Sequence, residues 1–419
     1  MRLSVHDYSG HPFQVQLSRE LARRGHSVLH EYSTQYVSGH GKLTVTADDP
    51  TTLRIEGVRA RRPIRKYDPV ARMRFELSYA RAWQRRMAQQ QADVVVACNV
   101  PLFALAAARR HFERTRQPWV FWHQDIYSLG VAAEIDRKLP APIAAPLRRW
   151  TGSLERTQVR DATRVVAIGD AFVSQYAAWG LPVDHVEVIP NWAPLEDLVP
   201  GPRDNVWAQE QALPSAPVRL LYAGTLGRKH NPLLLLRMLD AVRARGVDAM
   251  LVVCSEGQGA EELAAAARDR ADVRILGYQP AERFAEVLAS ADAMLALLEP
   301  DAAAFSVPSK VLSYLSAGRP TVALMPETNP AAHDVRTAGG FVGEPTPDGA
   351  DRAAEWLAAT VASGPEALTK LGVRARHLAE RRFDIAAITD RFEDVLRAAA
   401  GRLRSDLPAV GTNAEECAA

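Results

Sequence analysis

Short apolar runs alternate with amphipathic stretches along almost the whole chain, and this alternation limits the fold more than any other feature. RLSVHDY, HSVLHEYS, TLRIEGVRA, ADVVVACN, PWVFWHQD, ATRVVAIG and VEVIPN read as strands in the first half. Helical patterns separate them: FQVQLSRELARRG, ARMRFELSYARAWQRRMAQQQ, LFALAAARRHFERT and DAFVSQYAAWG. VRLLYAG, DAMLVVCSE, VRILGY, AMLALLE, PTVALMP and GGFVGE repeat the scheme in the second half. Strands covered on both faces read as near-continuous apolar runs, and helices between them supply the crossovers of a parallel sheet. The expected class is α/β, with two parallel-sheet layers of Rossmann type.

At 419 residues the chain is long enough for two domains, each burying its own core. The segment NWAPLEDLVPGPRDN, residues 191–205, is rich in Pro, Asp and Asn and marks the break. The expected units are residues 1–195 and 206–383, then a helix over 384–403 and a polar, Ala-rich, disordered tail over 404–419.

A 47% hydrophobic and 24% charged composition fits a folded, water-soluble protein. Cys98, Cys254 and Cys417 are far apart and lack metal-ligand or CxxC spacing, which favours a reducing cytosol over a disulfide framework. No apolar run reaches 18 residues, and MRLSVHDYSG enters a strand-like segment directly, so neither a spanning helix nor a signal peptide is expected. The net charge of +2 is uneven: residues 1–200 hold 27 Lys/Arg and 20 Asp/Glu, against 24 and 29 in the remainder. A basic first half suits an anionic partner, such as a membrane surface or a diphosphate lipid. A solvated charge pattern with no partner is the equal alternative.

Two segments carry the functional signal. SVPSKVLSYLSAGRPTV, residues 306–322, places Ser309 and Lys310 at the start of an apolar helix. YAGTLGRKHNP, residues 222–232, places Gly224, Thr225, Arg228 and Lys229 between a strand and a helix. Helix N-termini and nearby cations stabilise phosphate, and two such places in one half suggest a bound diphosphate. Each alone reads equally as a Ser N-cap or a glycine turn with solvated cations. Gly257 and Gly259 of CSEGQGAEELAAAA resemble a GxGxxG turn, but Glu262 occupies the last position, a poor fit to a nicotinamide site. In the first half, Gly10 and His11 follow the first strand, and His123 and Asp125 stand at the end of PWVFWHQD. Open α/β sheets bind ligands at that edge. A plain turn at Gly10 and a loop-capping His–Asp pair are the alternatives. There is no DxD and no metal-spaced His/Asp/Glu cluster, so no metal or other cofactor is expected.

Taken together, LSRELARRGHSV, NVPLFALAAARR before WVFWHQD, VIPNW, YAGTLGRKHNP and VPSKVLSYLSAGRPTV resemble the retaining nucleotide-sugar glycosyltransferases of family 4. The resemblance is nearest to transferases of colanic-acid, O-antigen and exopolysaccharide assembly and spans about residues 1–400. It implies a GT-B fold, with two Rossmann-like domains facing across a cleft and a final helix crossing back to the first domain. It implies that Gly224, Thr225, Arg228, Lys229, Ser309 and Lys310 meet the donor phosphates. Glu256, Gly257, Gly277 and Tyr278 would lie near the nucleoside. His123 and Asp125 would face the donor sugar, with Gly10 and His11 on the acceptor side. Many members carry two glutamates eight positions apart; the matching positions here are Phe305 and Ser313, and Glu299 is out of register.

The expected activity is metal-independent transfer of a sugar from a nucleoside diphosphate sugar to a glycan or polyprenyl-diphosphate-linked acceptor. The expected location is the cytoplasm, at the inner face of the membrane, and no nucleic-acid partner is expected. RARRPIRK (59–66), APIAAP and LRRW (147–150) suit a membrane contact; a loop and helix face in water suit them equally. Rival readings are a nucleotide-sugar 2-epimerase of the same fold and a non-catalytic nucleotide-sugar-binding subunit.

Overall fold

The computed structural model describes residues 1–36, 41–64, 68–227, 230–300 and 307–406. The chain divides into two compact units, Met1–Pro190 with the chain from Ala386 onward, and Asn191–Ile385.

The first unit is built on β1 (Arg2–Asp7), β2 (Ser27–Ser33), β3 (Leu53–Val58), β4 (Val94–Cys98), β5 (Trp119–His123), β6 (Arg164–Ala167) and β7 (Val186–Val188). They form one parallel sheet in the order β3-β2-β1-β4-β5-β6-β7. Every residue of β4 and β5 is buried, which is why VVVAC and WVFWH read as unbroken apolar runs. The order reverses between β1 and β4, and this switch point brings the carboxyl ends of those two strands side by side.

The helices have readable starts. Pro12 opens the helix Pro12–Arg23, where its fixed φ suits the first turn and its missing N–H costs nothing. Asp68 caps Pro69–Met87 by accepting from the Ala71 N–H at 2.9 Å. Ala141–Asp161 is a single 21-residue helix, although its Pro142 and Pro146 make APIAAP read as broken. Pro142 lies among the first N–H groups, which have no intrahelical partner, so only Pro146 removes a ladder bond.

The helix Ile385–Asp406 belongs to this first unit. Phe392 packs edge-on against Trp122, with ring centroids 4.7 Å apart. Arg24 donates to Asp390 at 2.6 Å, Glu393 at 3.1 Å and the Ala386 carbonyl at 2.7 Å. His26 Nε2 lies 2.5 Å from the other Glu393 oxygen.

The second unit carries β8 (Val218–Ala223), β9 (Ala249–Cys254), β10 (Val273–Leu276), β11 (Ala293–Leu297), β12 (Thr321–Leu324) and β13 (Phe341–Gly343). Their order, β10-β9-β8-β11-β12-β13, is again parallel and again reverses beside the first strand of the unit. Alternate residues feed two cores. Leu221, Val252, Met294 and Ala323 enter one cluster; Leu220, Tyr222, Val253, Leu295 and Val322 enter the other. Each fully buried aliphatic side chain contributes about 1.5–3 kcal/mol, so each face secures the sheet independently.

Cys98 and Cys254 are buried free thiols. No helix among the described residues is long and apolar enough to cross a membrane.

Candidate functional site

In the second unit the site grows from the end of β8. The Tyr314 hydroxyl donates to the Ala223 carbonyl at 2.9 Å and accepts from the Ala223 N–H at 3.1 Å. That bond fixes the short helix Lys310–Ser316 against the strand. Lys310 lies four residues earlier and therefore on the same helix face, so it projects over the strand end. Its ammonium donates to the Tyr222 hydroxyl and sits 3.9 Å from the centroid of that ring. The Tyr222 hydroxyl in turn donates to the Thr225 carbonyl at 2.9 Å.

Gly224 makes room for this lysine. Its φ of 129° is strained for any residue with a side chain, and a Cβ there would stand 3.4 Å from Lys310 Cε and Nζ. No carboxylate among the described residues pairs with Lys310. Burial pushes its pKa down to about 7. Among the described residues, no opposite charge offsets this lysine at the end of β8.

Three loops form the rim. The Leu226 N–H donates to Ser255 Oγ at 3.0 Å, and the Gly259 N–H donates to the Leu226 carbonyl at 3.0 Å. Gly257 has φ 105°, and a Cβ on Gly259 would stand only 2.8 Å from the Leu226 oxygen, so glycine is required for this approach. Thr225 Oγ1 and the Tyr278 hydroxyl are 2.5 Å apart, and the Tyr278 N–H donates to Glu256 at 3.4 Å. Gly277 stands beside the same Glu256 carboxylate. The structure thus brings Gly224, Thr225, Glu256, Gly257, Gly277, Tyr278 and Lys310 together at the carboxyl ends of β8, β9 and β10. Ser309 is exposed at the start of the Lys310 helix, but it is helical at φ −57° and its side chain caps nothing. Ser313 is half-buried on that helix. Arg228, Lys229 and Phe305 lie outside the described residues.

In the first unit the switch point is organised by a carboxylate that the sequence reading passed over. Asp7, buried at the end of β1, accepts from the Ser9 N–H at 3.2 Å, the His11 N–H at 2.6 Å and the Asn99 amide at 2.8 Å. Burial pushes its pKa up to about 6, with those three bonds opposing the rise. The turn it clasps contains Gly10, at φ 69°, and leads into His11 and the Pro12 helix.

His123 ends β5 only 1% exposed. Its Nδ1 is 2.6 Å from the Tyr176 hydroxyl and its Nε2 is 3.1 Å from Glu155. Glu155 is wholly buried and also accepts the N–H groups of Tyr127 and Ser128, at 2.8 and 2.9 Å. Both ring nitrogens of His123 are thus engaged within the first unit. Asp125, two residues on, is half-buried. Glu155 lies 32 residues from His123, and nothing local in the sequence announces it.

Among the described residues no group of three or more His, Cys, Asp or Glu is placed to hold a metal ion.

A family model described as "Glycosyl transferase 4-like domain" matches residues 11–192, and one described as "Glycosyl transferases group 1" matches residues 217–359. Comparison with curated protein sequences finds no match. Among solved structures, sucrose-phosphate synthase from Thermosynechococcus elongatus is similar, with a TM-score of 0.69 at 14% identity over 97% of this chain and 99% of that one. Anabaena HepE in complex with UDP-glucose has a TM-score of 0.65 at 14% identity, over 95% and 100%. WaaG, a glycosyltransferase involved in lipopolysaccharide biosynthesis, has a TM-score of 0.64 at 16% identity, over 94% and 99%. At these identities the likeness establishes a common two-domain fold.

Proposed function

The chain belongs to the glycosyltransferases of the GT-B type, with a family 4-like first domain, and from that premise we propose that it is a retaining, metal-independent enzyme of cell-surface glycan assembly. It moves a sugar from a nucleoside diphosphate sugar to a hydroxyl of a glycan or lipid-linked acceptor. The observation that carries this reading is Lys310, an ammonium with no carboxylate partner among the described residues, seated on Tyr222 beside Gly224.

The donor diphosphate lies against Lys310, Gly224 and Thr225, with Ser309, Arg228 and Lys229 completing the phosphate contacts. Glu256, Gly257, Gly277 and Tyr278 hold the nucleoside. Charge that develops on the departing phosphate is stabilised by a cation already in place, which costs no reorganisation during reaction. The acceptor attacks from the face the phosphate leaves, and that phosphate takes the acceptor proton. His123, locked by Glu155 and Tyr176, holds the end of β5 in place and is a positioning residue. The HepE structure holds UDP-glucose, so a UDP-sugar is the first donor to test.

The test is calorimetric titration with UDP-, GDP-, dTDP- and ADP-sugars in the presence of a chelator, for wild type and Lys310→Met. We expect one base to bind, and Lys310→Met to weaken it at least about tenfold, or 1.4 kcal/mol, with an unchanged circular dichroism spectrum. Wild-type affinity in the variant removes the assignment. Phe305 and Ser313 in place of the usual glutamate pair support the binding-subunit reading; donor binding without any turnover would favour it.

A further inference from the structure

Thirteen large hydrophobic residues are exposed among the described ones, and five of them, Val131, Leu139, Ile143, Leu147 and Trp150, fall within residues 131–150. Single exposed hydrophobics are ordinary, but a cluster on one element marks a contact surface. Four of the five lie on the helices Tyr127–Lys138 and Ala141–Asp161, which pack on each other, and Leu139 lies between them. Ile143, Leu147 and Trp150 follow i, i+4, i+7 spacing and share one face, at 53%, 38% and 46% exposure. Pro140, Pro142 and Pro146 are also exposed at this end.

The surface next to it is cationic. Trp150 lies against Phe103, with ring centroids 5.3 Å apart. Phe103 shares a face of the helix Leu102–Thr115 with Ala107, Arg110 and Arg114, at steps of four, seven and eleven residues. Between that helix and Pro69–Met87 runs an open groove of about 770 Å³, lined by Arg81, Arg110 and Arg114 together with Arg109. Arg109 is paired with Asp161, and Glu113 also lines the groove. No ion pair is formed among the described residues by Arg81, Arg110, Arg114 or the exposed Arg149. Residues 51–150 as a whole carry 19 Lys/Arg against 8 Asp/Glu, so the basic excess of the first half is concentrated here.

We propose that this face of the first unit docks on an anionic lipid bilayer. Ile143, Leu147 and Trp150 enter the interface, and Arg81, Arg110, Arg114 and Arg149 meet headgroup phosphates. A row of apolar side chains beside cations that lack partners is the pattern of an interfacial helix, and a tryptophan between the apolar and charged zones sits at headgroup depth. A fluid sheet of anions satisfies separated arginines without fixed partner geometry.

The test is co-sedimentation of the full chain with phosphatidylcholine vesicles, with and without phosphatidylglycerol, at low and high salt. We expect binding to the anionic vesicles only, weakened by salt, with a blue shift of tryptophan emission that is absent in Trp150→Ser. The Ile143→Ser/Leu147→Ser/Trp150→Ser variant should lose most binding. Arg81→Ser/Arg110→Ser/Arg114→Ser should lose the dependence on phosphatidylglycerol. Both variants should keep the wild-type melting temperature and donor affinity. No wild-type sedimentation, or equal sedimentation of both variants, overturns the proposal. So does concentration-dependent dimerisation, measured by light scattering, that disappears in the apolar variant, because it gives the face to a second copy of the chain.

Discussion

Lys310 ties the chemistry of the second unit to pH. Its pKa of about 7 in the free protein comes from burial, whereas a bound diphosphate favours the charged form. The sign follows directly: below pH 7 the ammonium is present before the donor arrives, and above it the donor must recruit a proton. Donor affinity should therefore fall as pH rises from 6.5 to 8.5, approaching about tenfold per unit above the pKa. The slope should vanish in Lys310→Met when the titrations are repeated across that range. Gly224→Ala tests the same place from the backbone side. It forces a side chain into φ 129° and pushes against Lys310, so we expect a loss of about 1–3 kcal/mol in stability and weaker donor binding than in Gly227→Ala. Lys310 and Gly224 were legible in the sequence because lysine and glycine at a strand–helix junction have few roles. Tyr222 and Tyr314 were not, since their importance lies in hydroxyl bonds to atoms brought close only by the sheet.

At the scale of elements, Glu155 is the fastening of the first unit. It joins β5 through His123 to the N-terminus of the helix Tyr127–Lys138. Glu155→Ala leaves three buried donors without acceptors and should cost about 3 kcal/mol or more, read as a large drop in melting temperature. Glu155→Gln keeps one acceptor oxygen and should cost less. The docking of the helix Ile385–Asp406 weakens in acid. Burial raises the pKa of Glu393, but bonds from His26 and Arg24 outweigh it and hold it below the usual range. A depressed carboxylate stabilises above its unfolded pKa, and the gain is lost as pH falls through the folded value. Hydrogen-exchange protection in residues 385–401, taken relative to the intrinsic rate at each pH, should fall on acidification more than in β4, and Glu393→Ala should show the low protection already at neutral pH.

Among the described residues, central strands such as β4, β5, β9 and β11 were readable from sequence because burial on both faces leaves an unbroken apolar run. The pair of helices over 127–161 was not, since prolines and exposed apolar residues erase the pattern of an ordinary amphipathic helix.

At the scale of the molecule, the two units repeat one strand order with different cargo. A switch point is a place where two strand ends part, and both units fill it with a glycine turn held by polar side chains: Gly10 clasped by Asp7, and Gly224 beside Lys310. The second unit is continuous in sequence and owns two complete cores. Residues 191–385 expressed alone should therefore melt cooperatively in calorimetry, and a non-cooperative trace would show that the unit is incomplete. The first unit is interrupted. Its Trp122 waits for Phe392, and its Arg24 for Asp390 and Glu393, across more than 360 residues in the case of Arg24. During synthesis the second unit can finish while the first still lacks a wall. The first unit closes only once the helix Ile385–Asp406 has been made.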